Sequence, residues 1–152
     1  MLPMKKALLG FGIFLTLFLS SSHVPAAWAW RQGKIVSPEG ETVQIEWTAA
    51  EKLKDAAKRD LGQNAQASYH AIRLRKAEPL HMHDSHDLTV VVLKGSGKIH
   101  FGYNAFKLEK GDITHIPRGI PHWVENTGKE PLEAYAIYMP PSDGKDFHRL
   151  DR

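Results

Sequence analysis

From Ala67 onward, apolar and polar positions alternate with a period of two. In Tyr69-His-Ala-Ile-Arg-Leu-Arg75, Ile72 and Leu74 share one face while Arg73 and Arg75 share the other, which predicts a half-buried strand. Leu88-Thr-Val-Val-Val-Leu93 is a continuous, β-branched run, as expected of a strand buried on both faces. Lys98–Phe101, Ala105–Leu108, Ile113–Ile116, His122–Glu125 and Leu132–Met139 read as further short strands, separated by turns at Gly95, Gly102 and Gly111. This rhythm predicts an antiparallel barrel or double-sheet jelly roll rather than a sheet with crossover helices.

The stretch before Ala67 is weaker. Val43, Ile45 and Trp47 alternate, which suggests one strand after a turn at Pro38-Glu-Gly40. Thr48 and Glu51 have capping-box spacing. Leu53, Ala56, Ala57 and Leu61 then follow as the thin apolar stripe of a helix packed outside the main body, with Gly62 as its stop. After Pro140-Pro141 the chain is polar and is expected to be loosely held. The expected divisions are therefore a leader at 1–29, an N-terminal extension with a strand and a helix at 30–65, a β-barrel at 66–140 and a tail at 141–152.

The leader reads as a secretory signal peptide. Lys5 and Lys6 precede a largely apolar run from Ala7 to Leu19, and Ala27-Trp-Ala29 has the small-x-small pattern of a cleavage site. The run is too short for a comfortable membrane span, which takes roughly 20 residues. The expectation is a periplasmic or secreted protein with no stable membrane span after cleavage. Of 20 basic side chains, two lie in the leader, which leaves 18 against 17 acidic ones. That balance is not the one of a nucleic-acid binder. The chain has no cysteine, so any metal must be held by imidazole and carboxylate.

The candidate chemistry is concentrated in His81-Met-His-Asp-Ser-His-Asp87. On an extended strand, His81 and His83 point to the same side and can share one ion. Asp87 or His86 can come round from the following loop as a further ligand. A second stretch, from Gly111 through Pro117, Gly119 and His122 to Asn126, has its own logic. Pro117 and Gly119 build a tight turn. The turn delivers His122 inward at the start of a strand that Asn126 closes with side-chain hydrogen bonds. His70 and His100 read as exposed. His115 shares parity with Ile113 and can approach the pocket, Arg118 lies on the turn beside the mouth, and Trp123 faces away from the site, toward packing or a dimer contact.

Together the two stretches resemble the motifs of the cupin superfamily. The second motif, G-x5-PxG-x2-H-x3-N, matches at every fixed position from Gly111 to Asn126. The first, G-x5-HxH-x3,4-E-x6-G, matches at His81, His83 and Gly95, while Arg75 stands where its leading glycine belongs. The resemblance spans roughly 66–140 and implies an all-β, double-stranded β-helix (jelly-roll barrel) around one metal. The family's glutamate falls at Asp87 or Leu88, and Leu88 cannot bind metal. The resemblance therefore implies His81, His83, Asp87 and His122 as ligands, with His86 as the competitor and a three-histidine site completed by water as the third arrangement. The expected cofactor is one divalent transition metal: Fe, Mn, Ni, Cu or Zn. The implied function is a small metalloenzyme acting on a small organic molecule. Dioxygenase-like oxidation leads, and metal-assisted isomerisation or hydrolysis follows. The alternative is a non-catalytic protein that binds a sugar, a carboxylate or the metal itself. A homodimer, paired through an edge strand, is expected.

Overall fold

The computed structural model describes residues 34–36, 38, 40 and 42–151. The expected signal peptide lies outside the described residues. Twelve strands and one short helix are described: β1 (Lys34–Val36), β2 (Thr42–Gln44), α1 (Ala49–Leu53), β3 (Ala56–Gln63), β4 (Ser68–Leu74), β5 (His81–Met82), β6 (Asp87–Lys94), β7 (Ser96–Phe101), β8 (Asn104–Glu109), β9 (Ile113–Ile116), β10 (His122–Asn126), β11 (Leu132–Met139) and β12 (His148–Arg149). Two five-stranded antiparallel sheets run in the orders β3-β4-β11-β6-β9 and β12-β5-β10-β7-β8, beside a two-stranded β1-β2 ribbon.

The period-two pattern becomes the core directly. In β11, Leu132, Ala134, Ala136 and Tyr138 are buried while the residues between them are half-buried. They pack with Leu74, Leu88 and Val92 of their own sheet and with Ile99, Leu108 and Val124 of the other. A second cluster holds Ile45, Trp47, Ala57, Leu61 and Ala71, with Tyr69, Leu93 and Tyr135 against it. The segment around Trp47 thus joins the residues on the outer side of the first sheet. β6 is less buried than its sequence suggests. Only Leu88 and Val92 are fully enclosed, and the residues between them are half-buried.

The helix differs most from expectation. Its start is as read: Thr48 Oγ1 accepts from the Glu51 amide at 3.2 Å, and the Glu51 carboxylate accepts from the Thr48 amide at 2.7 Å. It ends at Leu53, which is 77% exposed, and buries nothing. Ala56, Ala57 and Leu61 belong instead to β3, which pairs with β4. The reason is parity. A spacing of four puts Ala57 and Leu61 on one side of a strand as readily as on one side of a helix. The open edge of β4 supplies hydrogen bonds along the whole stretch, where an isolated helix of that length is marginal. Gly62, expected as a helix stop, lies at a bulge with φ +137°. The sheet therefore begins inside the 30–65 stretch.

The tail is also a correction. Residues 141–150 are not loosely held. Asp146 is buried, and β12 pairs with β5.

Candidate metal centre

The two sequence motifs meet across the β5–β10 pair. His122 lies directly opposite His81 in antiparallel register, so their side chains share a face. The Gly119 amide donates to the His83 carbonyl at 2.6 Å, which ties the proline-glycine turn to the His-x-His strand. Gly119 has φ +73°, a conformation that a Cβ opposes. Asn126 closes β10 as expected: its amide group donates to the Arg75 and Glu130 carbonyls at 3.2 and 2.9 Å.

The structure brings His81, His83 and His122 together. All three are buried, and one ring nitrogen from each lies within 4.8 Å of the others. The ring centroids are 4.3 Å apart for His81 and His122, 5.0 Å for His81 and His83, and 5.6 Å for His83 and His122. Each Nδ1 is held by a backbone carbonyl. His81 donates to Pro79 at 2.9 Å, His122 donates to Ile120 at 2.9 Å, and His83 donates to Asp146. A carbonyl accepts only, so the proton of each neutral ring sits on Nδ1 and the Nε2 lone pair is free. The Nε2 of His83 is buried with no hydrogen-bond partner.

Electrostatics point the same way. Burial, then the neighbouring His122, hold His81 down to about 3. Burial holds His122 down to about 4 and also lowers His83. Three neutral imidazoles with converging lone pairs suit a divalent transition metal, and the carbonyls fix the rings as outer partners of ligands do. The residues present fit such an ion.

The structure does not bring Asp87 into this group. Arg118 takes both of its oxygens, with the backbone amide at 2.9 Å, Nε at 3.2 Å and a terminal nitrogen at 2.9 Å. These bonds hold the Asp87 carboxyl down to about 2. Leu88, the other candidate position, is in the core. His86 is engaged elsewhere: its Nδ1 pairs with the Asp146 carboxylate and its Nε2 meets the Pro141 carbonyl at 3.2 Å. Among the described residues, the group is three histidines without a carboxylate.

The remaining histidines divide. His70, expected exposed, is buried, with Nε2 2.8 Å from Ser68 Oγ and Nδ1 2.6 Å from Asp60. Pairing of β3 with β4 is what covers it, since Asp60 stands opposite His70. His100 is half-buried, stacked on Trp123 at 3.8 Å, so Trp123 does face away from the triad. His115 is exposed and lies outside the triad.

A cavity of about 360 Å³ adjoins the triad. His81 and His83 line it with Glu78, Tyr138, Ile72, Lys58 and the tail residues Asp146 and Phe147. Glu78, His81 and Tyr138 also border a smaller inner space of about 50 Å³ that reaches His122. Burial pushes the Glu78 carboxyl up to about 8, against a backbone hydrogen bond at Val124 that lowers it. Burial, then Glu78, push the Tyr138 hydroxyl up. Sequence reasoning missed both. Glu78 has opposite parity to His81, and no motif marks it. Tyr138 reads only as an inward position of β11.

A family described as cupin domain matches residues 72–138. The chain belongs to the cupin superfamily. An uncharacterized protein of Aquifex aeolicus is 35% identical over 91 residues, which is 60% of this chain and 74% of the relative. An uncharacterized double-stranded β-helix protein of Klebsiella pneumoniae has a similar fold, with TM-score 0.57 and 17% identity over 72% of this chain and all of its own. The polyketide cyclase RemF of Streptomyces resistomycificus is similar with TM-score 0.56 and 16% identity, over 65% of this chain and 73% of its own. At these identities the two structures bear on the fold alone.

Proposed function

We propose that this cupin is a small exported metalloenzyme that holds one divalent transition metal on His81, His83 and His122 and acts on a small organic molecule in the adjoining cavity. One observation carries the reading. One ring nitrogen from each of the three histidines lies within 4.8 Å of the others beside a cavity, while each Nδ1 is committed to a carbonyl. The metal supplies Lewis acidity toward oxygen donors and, if redox-active, electron transfer with dioxygen.

The chain's own residues do the rest. Three neutral ligands leave the ion's charge uncompensated, which favours an anionic donor such as a carboxylate or enolate. Lys58 adds a positive charge to the cavity wall, and Ile72, Leu74 and Pro79 make that wall apolar. Glu78 holds a proton at its carboxyl near neutral pH and lines the same space, so it is the group placed to give or take one. Oxygen-dependent oxidation is the leading reaction class, and metal-assisted isomerisation or hydrolysis follows. Capture of a ligand without turnover is the second reading, favoured by the Phe147 ring stacked on His81 at 4.2 Å. Export rests on the leader pattern, and work in the periplasm or outside the cell follows from it. Pairing of two copies is proposed through the sheet edges, where β8 and β9 carry the exposed Phe106 and Ile113.

The test is elemental analysis of the purified chain beside a His81→Ala/His122→Ala variant, followed by oxygen uptake with a panel of small carboxylates and enols. One equivalent of iron, copper, manganese or nickel in the parent, none in the variant and metal-dependent uptake support the enzyme. Stoichiometric metal with binding but no turnover of any panel member supports capture. No metal after reconstitution overturns both.

A further inference from the structure

The segment from Ser142 to Leu150 forms one wall of the cavity, and it is strapped down at four places. The Ser142 amide donates to Ser68 Oγ at 2.9 Å, and that hydroxyl is itself 2.8 Å from the buried His70. The Asp146 carboxylate accepts from the Asp84 and Ser85 amides at 2.8 and 3.0 Å and pairs with His86. The Asp146 carbonyl holds His83 Nδ1. Beyond it, β12 pairs with β5, and the Leu150 amide donates to the Leu80 carbonyl at 3.0 Å. Asp146 therefore touches both sides of one arrangement. Its side chain organises the loop after His83, and its main chain orients His83.

The next residue is the unexpected one. Phe147 is 47% exposed, yet its ring stacks on the buried His81 at 4.2 Å with an interplanar angle of 19°. It also stands edge-on to His83 at 6.0 Å. A half-exposed phenylalanine in a polar segment realises only part of the apolar burial its ring could have, so burial alone does not account for its position. What it does cover is the cavity side of two of the three histidines.

We propose that Phe147 is a specificity-determining residue, whose ring limits the size of the molecule that reaches the three-histidine centre, and that Asp146 is the positioning residue that holds Phe147 and His83 in place. The inference rests on the metal-centre reading above. It differs from that reading in assigning the shape of the site to a segment outside both sequence motifs.

The experiment uses the full chain loaded with Co(II), titrated with azide as a small probe and 4-phenylimidazole as a bulky one, read by the Co(II) visible bands. Phe147→Ala is expected to keep Co(II) affinity within about threefold and azide binding within about twofold. It should tighten 4-phenylimidazole by roughly tenfold or more, one decade of affinity. Phe147→Leu should restore most of the discrimination. Asp146→Asn places an amide NH2 against one of the two backbone N–H donors, Asp84 on Oδ1 or Ser85 on Oδ2, which loosens the segment whose main-chain carbonyl holds His83 Nδ1, and Co(II) binding should weaken by about 10-fold or more. Hydrogen exchange at the Asp84 and Ser85 amides should quicken in the same variant, with or without metal. Should Asp146→Asn fail to fold, Phe147→Ala, which breaks no hydrogen bond, carries the test. A ratio of bulky to small probe that stays the same or falls in Phe147→Ala overturns this inference while leaving the metal centre standing. Absence of Co(II) binding by the parent chain sinks the metal centre and the inference together.

Discussion

Replacing Glu78 by glutamine in the metal-free protein should remove a pH dependence that runs opposite to ordinary acid denaturation. The Glu78 carboxyl has a reference value of 4.5 and is pushed up to about 8 by burial in the fold. Between those values the unfolded chain ionises and the folded chain does not. The folded state then binds more protons, so stability is fully present below about 4.5 and is lost as pH rises toward 8. Each pH unit in that window is worth at most about 1.4 kcal/mol. The histidines of the triad and His70 are lowered, and because their unfolded forms are still half-protonated at pH 6.5 they oppose Glu78 in the lower part of the interval from 6.5 to 8. Glu78 by itself should withdraw about 2 kcal/mol across that interval, an upper bound because the residue keeps some exposure. That is a large part of the 5–15 kcal/mol or so that holds a domain together. Urea denaturation in the presence of chelator at pH 6.5, 7.2 and 8.0 measures it. The midpoint of Glu78→Gln should rise relative to that of the parent as pH increases. Parallel midpoints in the two proteins would refute the placement of an uncharged carboxyl in this cavity.

Three further outcomes are expected. Below pH 6.5 the sign reverses: His81, His83 and His122 stay neutral in the fold while the unfolded chain takes up protons, so stability of the metal-free protein should fall toward pH 4, and bound Co(II) should dissociate over the same range, as its visible spectrum will show. Asp87→Asn should leave metal content unchanged and barely move the thermal midpoint, because it breaks an exposed pair with Arg118; loss of metal there would restore Asp87 as a ligand. Gly95→Ala should destabilise by about 2 kcal/mol or more in thermal unfolding, since φ is +79° and the added Cβ would stand 2.7 Å from the Pro131 carbonyl oxygen.

The strands from Ser68 to Met139 were legible because period-two alternation and glycine-marked turns are local properties. The histidines of the triad were legible for a related reason. Two sit two apart on one strand, and the third follows a turn whose proline and glycine dictate its geometry, so their inward direction is set by nearest neighbours. The expected outer helix from Thr48 to Gly62 shows where local information ends. Thr48 and Glu51 specify a helix start, but Ala57 and Leu61 fit either period, and only the open edge of β4 decided for a strand. The fourth ligand shows the same limit. Counting residues brings Asp87 to the correct distance along the chain, yet Arg118, which arrives 31 residues later, binds its carboxylate first. Glu78, Tyr138, Asp146 and Phe147 carry no motif at all. Their roles come from long-range packing: a strand pair that buries Glu78, and a C-terminal segment that returns some sixty residues later to orient His83 and cover His81. The sequence by itself determined a cupin barrel and three inward histidines, because those depend on alternation and turns. The tertiary structure alone decided what surrounds them, because desolvation and distant hydrogen bonds exist only once the sheets have closed.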